Sequence, residues 1–185
     1  MDTSSENLLS HLSRVLWDEV FMAMACVYAM RSPDNATRHG CIIVDANNVP
    51  IGFGYNGFPK GGKNDGIYPR TRPGKYTVIA HSELNSLLNR SLNTQGGTAY
   101  ITGRPCSQCM IAMIQGGIKK IVYGKIGSHC VDQKDWDTVL LMAKNCNINV
   151  VEYTGELPYN VLSSTQEYLK LKGWISEAEK TEYTN

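Results

Sequence analysis

An α/β fold is predicted for this 185-residue chain by three features: an amphipathic opening segment, a β-hairpin, and a second half that alternates strands with helices. Leu12, Val15, Leu16, Val20, Met24 and Val27 recur on one helical face, which predicts a helix from about Leu12 to Met30. Arg31-Ser32-Pro33-Asp34 stops it. Gly40-Cys41-Ile42-Ile43-Val44 and Ile51-Gly52-Phe53-Gly54-Tyr55 read as two short strands, and Asp45-Ala46-Asn47-Asn48 between them favours a turn. From Phe58 to about Ile79, Gly, Pro, Lys and Arg dominate, in a stretch longer than most connections; such loops are commonly functional or mobile, and this one is expected near the site.

A helix begins near His81, runs through Leu84, Leu87 and Leu88, and ends before Asn93, Gly96 and Gly97. Thr98 to Thr102 is a third strand, Cys106 to Gln115 a helix closed by Gly116-Gly117, and Lys120 to Tyr123 a fourth strand. Trp136, Val139, Leu140 and Ala143 mark another helix, and Ile148 to Glu152 a fifth strand. That alternation builds a parallel sheet covered by helices. Past Gly155, Val161, Tyr168 and Ile175 stand seven apart with Leu162 and Leu169 beside them, which predicts an amphipathic helix whose apolar face needs a partner, the domain's own core before another subunit. The tail from Glu177 to Asn185 is expected to fray. The organisation is one catalytic domain over 12–154 with a C-terminal helical extension over 155–185.

The apolar fraction of 42% and charged fraction of 19% describe an ordinary globular chain, and a formal charge of +1 offers no basic surface for long nucleic acid. No apolar run approaches the roughly 20 residues that span a bilayer, and Met1 to Glu6 lacks a basic signal-like start, so a cytoplasmic location is expected. In that compartment the six cysteines are not a disulfide framework; Cys26 and Cys41 lie in apolar runs that read as core.

The chemistry is carried by His81-Ser82-Glu83 and Pro105-Cys106-Ser107-Gln108-Cys109. One imidazole and two thiolates suit zinc, and three protein ligands leave its fourth tetrahedral position to water, whereas a structural site closes all four with protein. Cys106 and Cys109 share one face at a helix start, near the positive end of the dipole that favours thiolate. Residues two apart in a regular helix point about 200° from each other, so His81 and Glu83 converge only at a helix entry. There His81 ligates zinc while Glu83 works as general acid/base on the attacking water, the ring nitrogen and the departing ammonia. The pattern H-x-E…P-C-x-x-C is the signature of zinc nucleobase deaminases, in which the glutamate is not a ligand. Two blander readings stand beside it. Cys106 and Cys109 could be a redox pair, which leaves His81 and Glu83 idle, or the zinc could be structural, with His129, Cys130 or Cys146 as fourth ligand. His11 reads as a solvated helix residue and His39 as a satisfied edge histidine.

With these residues, the chain resembles the deoxycytidylate (dCMP) deaminases of the cytidine-deaminase-like superfamily, over roughly Trp17 to Tyr153. The resemblance rests on the zinc motif, on Arg31-Ser32-Pro33-Asp34, on Gly54-Tyr55-Asn56-Gly57-Phe58-Pro59 and on His81-Ser82-Glu83-Leu84-Asn85. It implies a five-stranded mixed sheet sandwiched by helices, zinc at the helix entries, homo-oligomers up to hexamers, and conversion of dCMP to dUMP and ammonia for thymidylate synthesis. It places a substrate-binding amide at Asn56. It also implies activation by dCTP and inhibition by dTTP near the glycine-rich loop, here Lys60, Gly61, Gly62 and Lys63, whose backbone amides and lysines suit phosphates. For the substrate monophosphate, Arg38, Arg104 and Lys125 are the candidate cations. Two departures are notable. Ser82 replaces the usual alanine, a change expected to disturb neither neighbour, and His39 stands where valine is commoner, which keeps dCTP and 5-substituted dCMP open as substrates. The competing functions are a tRNA or single-stranded DNA base deaminase, disfavoured by the low charge and three Phe and three Trp, and a zinc-stabilised binding module that would have no use for Glu83.

Overall fold

The computed structural model describes residues 14–61, 67–127, 130–155 and 159–171. Leu12 and His11, the loop residues Gly62 and Lys63, His129, Ile175 and the tail from Glu177 lie outside them. The chain runs α1 (Trp17–Ala29), β1 (Gly40–Val44), β2 (Pro50–Tyr55), a short 3-10 turn (Gly74–Thr77), α2 (Ser82–Leu88), β3 (Thr98–Ile101), α3 (Ser107–Gln115), β4 (Lys120–Tyr123), α4 (Gln133–Asn145), β5 (Asn149–Glu152) and α5 (Tyr159–Leu171). The five strands form one sheet in the order β2-β1-β3-β4-β5. β1 is antiparallel to both β2 and β3, while β3, β4 and β5 are parallel to one another, as expected for strands joined through helices. The hairpin turn is built by Asp45, whose carboxylate accepts from the N–H groups of Asn47 and Val49, and by Asn48 at φ 62°, a left-handed conformation that asparagine tolerates.

Alternation along the strands sorts the core into two layers. Ile42, Val44, Tyr100 and Val122 point to one face, where they meet Phe21, Met22 and Ala25 of α1. Cys41, Ile43, Ala99, Ile101 and Ile121 point to the other, against Leu87 of α2, Cys109, Met110 and Met113 of α3, and Trp136, Val139 and Ala143 of α4. β1 is therefore buried at every position, which is why its sequence is a continuous apolar run. α5 packs against α1, so the extension returns to its own domain.

α1 departs from expectation in start and face. Leu16 is its cap residue, with extended backbone at ψ 153°, and Glu19 accepts from the Leu16 N–H at 2.7 Å. The buried side is Phe21, Met22, Ala23, Ala25 and Ala29; of the predicted face, Val20 and Met24 are half-buried against the same core layer, whereas Leu16 and Val27 are exposed. The helix is apolar nearly all round, so periodicity allowed two stripes; the small side chains decided between them, because a side chain at Gly40 would meet Ala25 O and only glycine opposite alanine admits so close a crossing. The same device seats α2: a Cβ on Gly54 would fall 2.1 Å from Ser82 O and 2.4 Å from Ser86 N, both rigid backbone atoms. Gly54→Ala is expected to cost about 1–3 kcal/mol or more in chemical denaturation and to reduce metal retention, because α2 begins at His81 and must move to make room.

Candidate active site

Three helix entries and two loops converge on one cavity, lined by Asp34, Thr37, His39, Asn56, Arg72, Lys75, Tyr76, Ile79, His81, Ser82, Glu83, Ile101, Arg104, Cys106, Cys130 and Val131. His81 is the cap residue of α2, in extended conformation with ψ 158°, so the regular-helix angle between it and Glu83 does not apply. Cys106 is the cap residue of α3 at ψ 167°, and Cys109 lies one turn in. The Ser107 N–H at that helix entry donates to Asp135 of α4 at 3.1 Å, tying the two helices together beside Cys106. A two-residue bridge between Gly57 and Ala80, with N–H···O distances of 3.0 and 2.9 Å, sets the segment around Asn56 next to His81.

His81 Nδ1 lies 3.4 Å from Cys106 Sγ and 3.5 Å from Cys109 Sγ, and the three donor atoms fall within 4.8 Å of one another. A tetrahedral zinc with Zn–S of about 2.3 Å and Zn–N of about 2.0 Å sets N···S edges of roughly 3.5 Å, so the donor set fits that ion without rearrangement. Before a metal binds, the hydrogen bond to Cys106 pushes His81 up to about 9. Cys106 is drawn down to about 4 by its hydrogen bonds to Cys109 and His81, and Cys109 is pushed up by its hydrogen bond to Cys106 and by burial. No fourth protein donor joins this group among the described residues: Cys130 sits elsewhere on the cavity wall, taking a hydrogen bond from Arg72 Nη2 at 3.2 Å, and Cys146 is exposed. All six cysteines are free, so Cys106 and Cys109 are not a disulfide.

Glu83 is buried at 5% exposure and faces the same cavity. Ser82, wholly buried, donates its hydroxyl to Glu83 Oε2 at 2.8 Å. The serine thus gives the carboxylate a hydrogen bond that an alanine at this position would lack, while Glu83 still faces the cavity and His81 still meets the two cysteines. His39 also reaches the cavity, its Nδ1 3.2 Å from Thr102 Oγ1 and its ring packed against Gly103 and Gly127. Asn56 lines the cavity, but its amide is largely engaged: Nδ2 donates to Thr37 O at 3.0 Å and Asp34 Oδ2 at 3.4 Å, and Oδ1 accepts from the His39 N–H at 2.7 Å.

Of the three candidate cations, Arg104 lines the cavity, its guanidinium 4.9 Å above the Trp136 ring. Arg38 is exposed and Lys125 pairs with Glu152 at 3.3 Å; neither belongs to the lining. The cations that sequence reasoning missed are Arg72 and Lys75, from the long Gly- and Pro-rich loop. That stretch has no periodicity, and its cluster of Lys and Arg was the one signal available. Lys60 lies in a separate, polar cavity with Arg31, Pro33, Tyr55, Gly57, Phe58, Pro59, Asn85 and Asn89.

The family model "Cytidine and deoxycytidylate deaminase zinc-binding region" matches residues 15–125. The deoxycytidylate deaminase of Mus musculus is 33% identical over 145 residues, covering 75% of this chain and 80% of that protein. The deoxycytidylate deaminase of Homo sapiens is 36% identical over 124 residues, covering 63% and 69%. The crystal structure of dCMP deaminase from the cyanophage S-TIM5 shares the fold, with a TM-score of 0.58 at 22% identity over 74% of this chain and 96% of that one. A match across more than half the sequence, taking in the helix entries that gather His81, Cys106 and Cys109, means that the chain belongs to the cytidine and deoxycytidylate deaminase zinc-binding family.

Proposed function

We propose that this zinc-dependent deaminase converts dCMP to dUMP and ammonia, with His81, Cys106 and Cys109 as zinc ligands and Glu83 as general acid/base. The observation that carries the reading is the buried Glu83 carboxylate in the same cavity as a three-donor set of zinc dimensions, in a chain a third identical to deoxycytidylate deaminases. His81, Cys106 and Cys109 would hold a zinc ion that, when bound, would supply Lewis-acid activation of the attacking water at neutral pH. Glu83 takes one proton from the water that attacks C4 of the cytosine ring and delivers it to ring N3, then takes the proton of the new C4 hydroxyl and delivers it to the leaving amino group. The net change is a C4–N bond broken, a C4–O bond formed and ammonia released, with Glu83 returned to carboxylate.

Arg104 and Arg72 are the guanidinium groups of the cavity and suit a monophosphate, to which a planar fork can bind through two hydrogen bonds. Asn56 keeps a second carbonyl lone pair for a sugar hydroxyl. The cavity around Lys60, with Arg31, Asn85 and Asn89, suits the regulatory nucleotide, dCTP or dTTP, and Gly61 adjoins it. Exposed Leu84, Leu88 and Ile111 on α2 and α3 support a homo-oligomer. Among the described residues no helix is long and apolar enough to cross a membrane.

The test is product analysis after mixing zinc-loaded protein separately with dCMP, dCTP, 5-substituted dCMP and a cytosine-containing single strand. The expected result is dUMP from dCMP as the fastest reaction. Conversion of the strand alone would replace the substrate assignment while keeping the zinc chemistry, and absence of conversion on all four would overturn the reading.

A further inference from the structure

Two charges taken out of water lose several kcal/mol of hydration each, so a fully buried ion pair on a cavity wall calls for a reason. Lys75 is 3% exposed and Asp34 7%, and Lys75 Nζ lies 2.9 and 2.8 Å from the two Asp34 carboxylate oxygens. The Asp34 carboxylate accepts three further bonds: Oδ1 from the Ala36 and Thr37 N–H groups at 2.8 and 3.3 Å, and Oδ2 from Asn56 Nδ2 at 3.4 Å. Asn56 in turn accepts from the His39 N–H. The two charges come from segments 41 positions apart in sequence. Asp34 belongs to the loop before β1, which lines the cavity with Thr37 and His39; Lys75 belongs to the 3-10 turn of the long loop, which lines it with Arg72, Tyr76 and Ile79.

We propose that the Asp34–Lys75 pair is a positioning latch, which pins the long loop across the cavity and sets the substrate-facing wall on both sides of it. On one side the ammonium holds the turn from which Arg72 and Tyr76 project, the Arg72 guanidinium 5.5 Å above the Tyr76 ring. On the other the carboxylate orders the Ala36–Thr37 backbone and the Asn56 amide. Lys75 is thus a positioning residue and not a phosphate ligand, because its ammonium is buried and spent on Asp34. The latch was invisible in the sequence, where Lys75 reads as one more cation in a basic loop.

Its role in turnover rests on the dCMP reading above, so the test pairs kinetics with a readout independent of substrate. Three variants are compared with the wild type: Lys75→Met, Asp34→Asn and the double variant Asp34→Asn/Lys75→Met. For each, kcat and KM for dCMP, zinc content, Tm and hydrogen exchange of the backbone amides at Lys75, Tyr76, Val78 and Ile79 are measured. Lys75→Met leaves a buried carboxylate unpaired and lowers Tm; the double variant removes both charges and regains much of it. If the pair positions the wall, KM rises about tenfold or more in the single and double variants alike, with kcat changed far less and zinc content unchanged, since misplaced binding groups are costly. The four amides then exchange faster in all three variants, while those of β1 and β3 keep their protection in the double variant. A double variant that recovers wild-type KM and amide protection together with its Tm would reduce the pair to a structural role and overturn the proposal. Should the wild type fail to convert dCMP, the substrate reading falls, and the amide exchange still decides the latch.

Discussion

Replacing Glu83 by glutamine lowers kcat by about 10³-fold or more while zinc content, Tm and KM stay near wild type; that is the expected result with the largest effect on activity. Glutamine has the volume of glutamate, so the buried site at 5% exposure accommodates it without a cavity. Its amide oxygen also accepts the Ser82 hydroxyl, so the side chain keeps its place. What it loses is the ability to take up a proton and give it back, and each deamination needs that cycle. Steady-state loss of cytosine absorbance, with zinc content measured on the same preparation, checks the prediction. Activity within about tenfold of wild type would move proton transfer to another group and return the binding-module reading to contention.

Cys109→Ser is expected to weaken zinc binding by about 100-fold or more and to abolish activity in the purified protein, because a serine hydroxyl does not ionise at neutral pH to replace a thiolate. Cys109 is buried and packs within the α3 layer of the core, so the isosteric exchange isolates the lost ligand from any loss of packing. The same site makes a pH prediction for the wild type. Zinc needs a neutral imidazole and two thiolates. In the metal-free protein His81, pushed up to about 9, carries its proton at neutral pH, as does Cys109, whereas Cys106, drawn down to about 4, is already a thiolate. Binding therefore expels about two protons near pH 7, and affinity falls as pH falls by roughly two orders of magnitude per unit. Competition against a colorimetric chelator at several pH values between 6 and 8 measures the slope. A slope near zero would mean that the three side chains already stand deprotonated.

These two experiments probe residues that were legible from spacing alone. H-x-E and P-C-x-x-C report chemistry directly, because zinc accepts few donor types and a helix entry is the place where neighbours so spaced converge. Strand boundaries were equally legible where burial on both faces forces continuous apolar runs, as in β1 and in the Ile121–Tyr123 part of β4. Ser82 was present in the motif, yet the direction of its hydroxyl depends on a side-chain rotamer and on burial, neither of which has a sequence signature.

The sequence by itself determined the α/β class and the order of helices and strands, and it singled out His81, Cys106 and Cys109, which the fold gathers, and Glu83, which faces the same cavity, since all of these follow from local periodicity, helix entries and ligand chemistry. Tertiary structure alone decided which stripe of α1 is buried, because Phe21, Met22 and Ala25 win only when Gly40 of a strand stands opposite Ala25. It alone decided which cations face the cavity, placing Arg72, Lys75 and Arg104 in the wall and leaving Arg38 and Lys125 outside it. The physical reason is common to both: a charge or an apolar side chain on an aperiodic loop or an all-round apolar helix gains its role from what packs against it, and that partner lies far away along the chain.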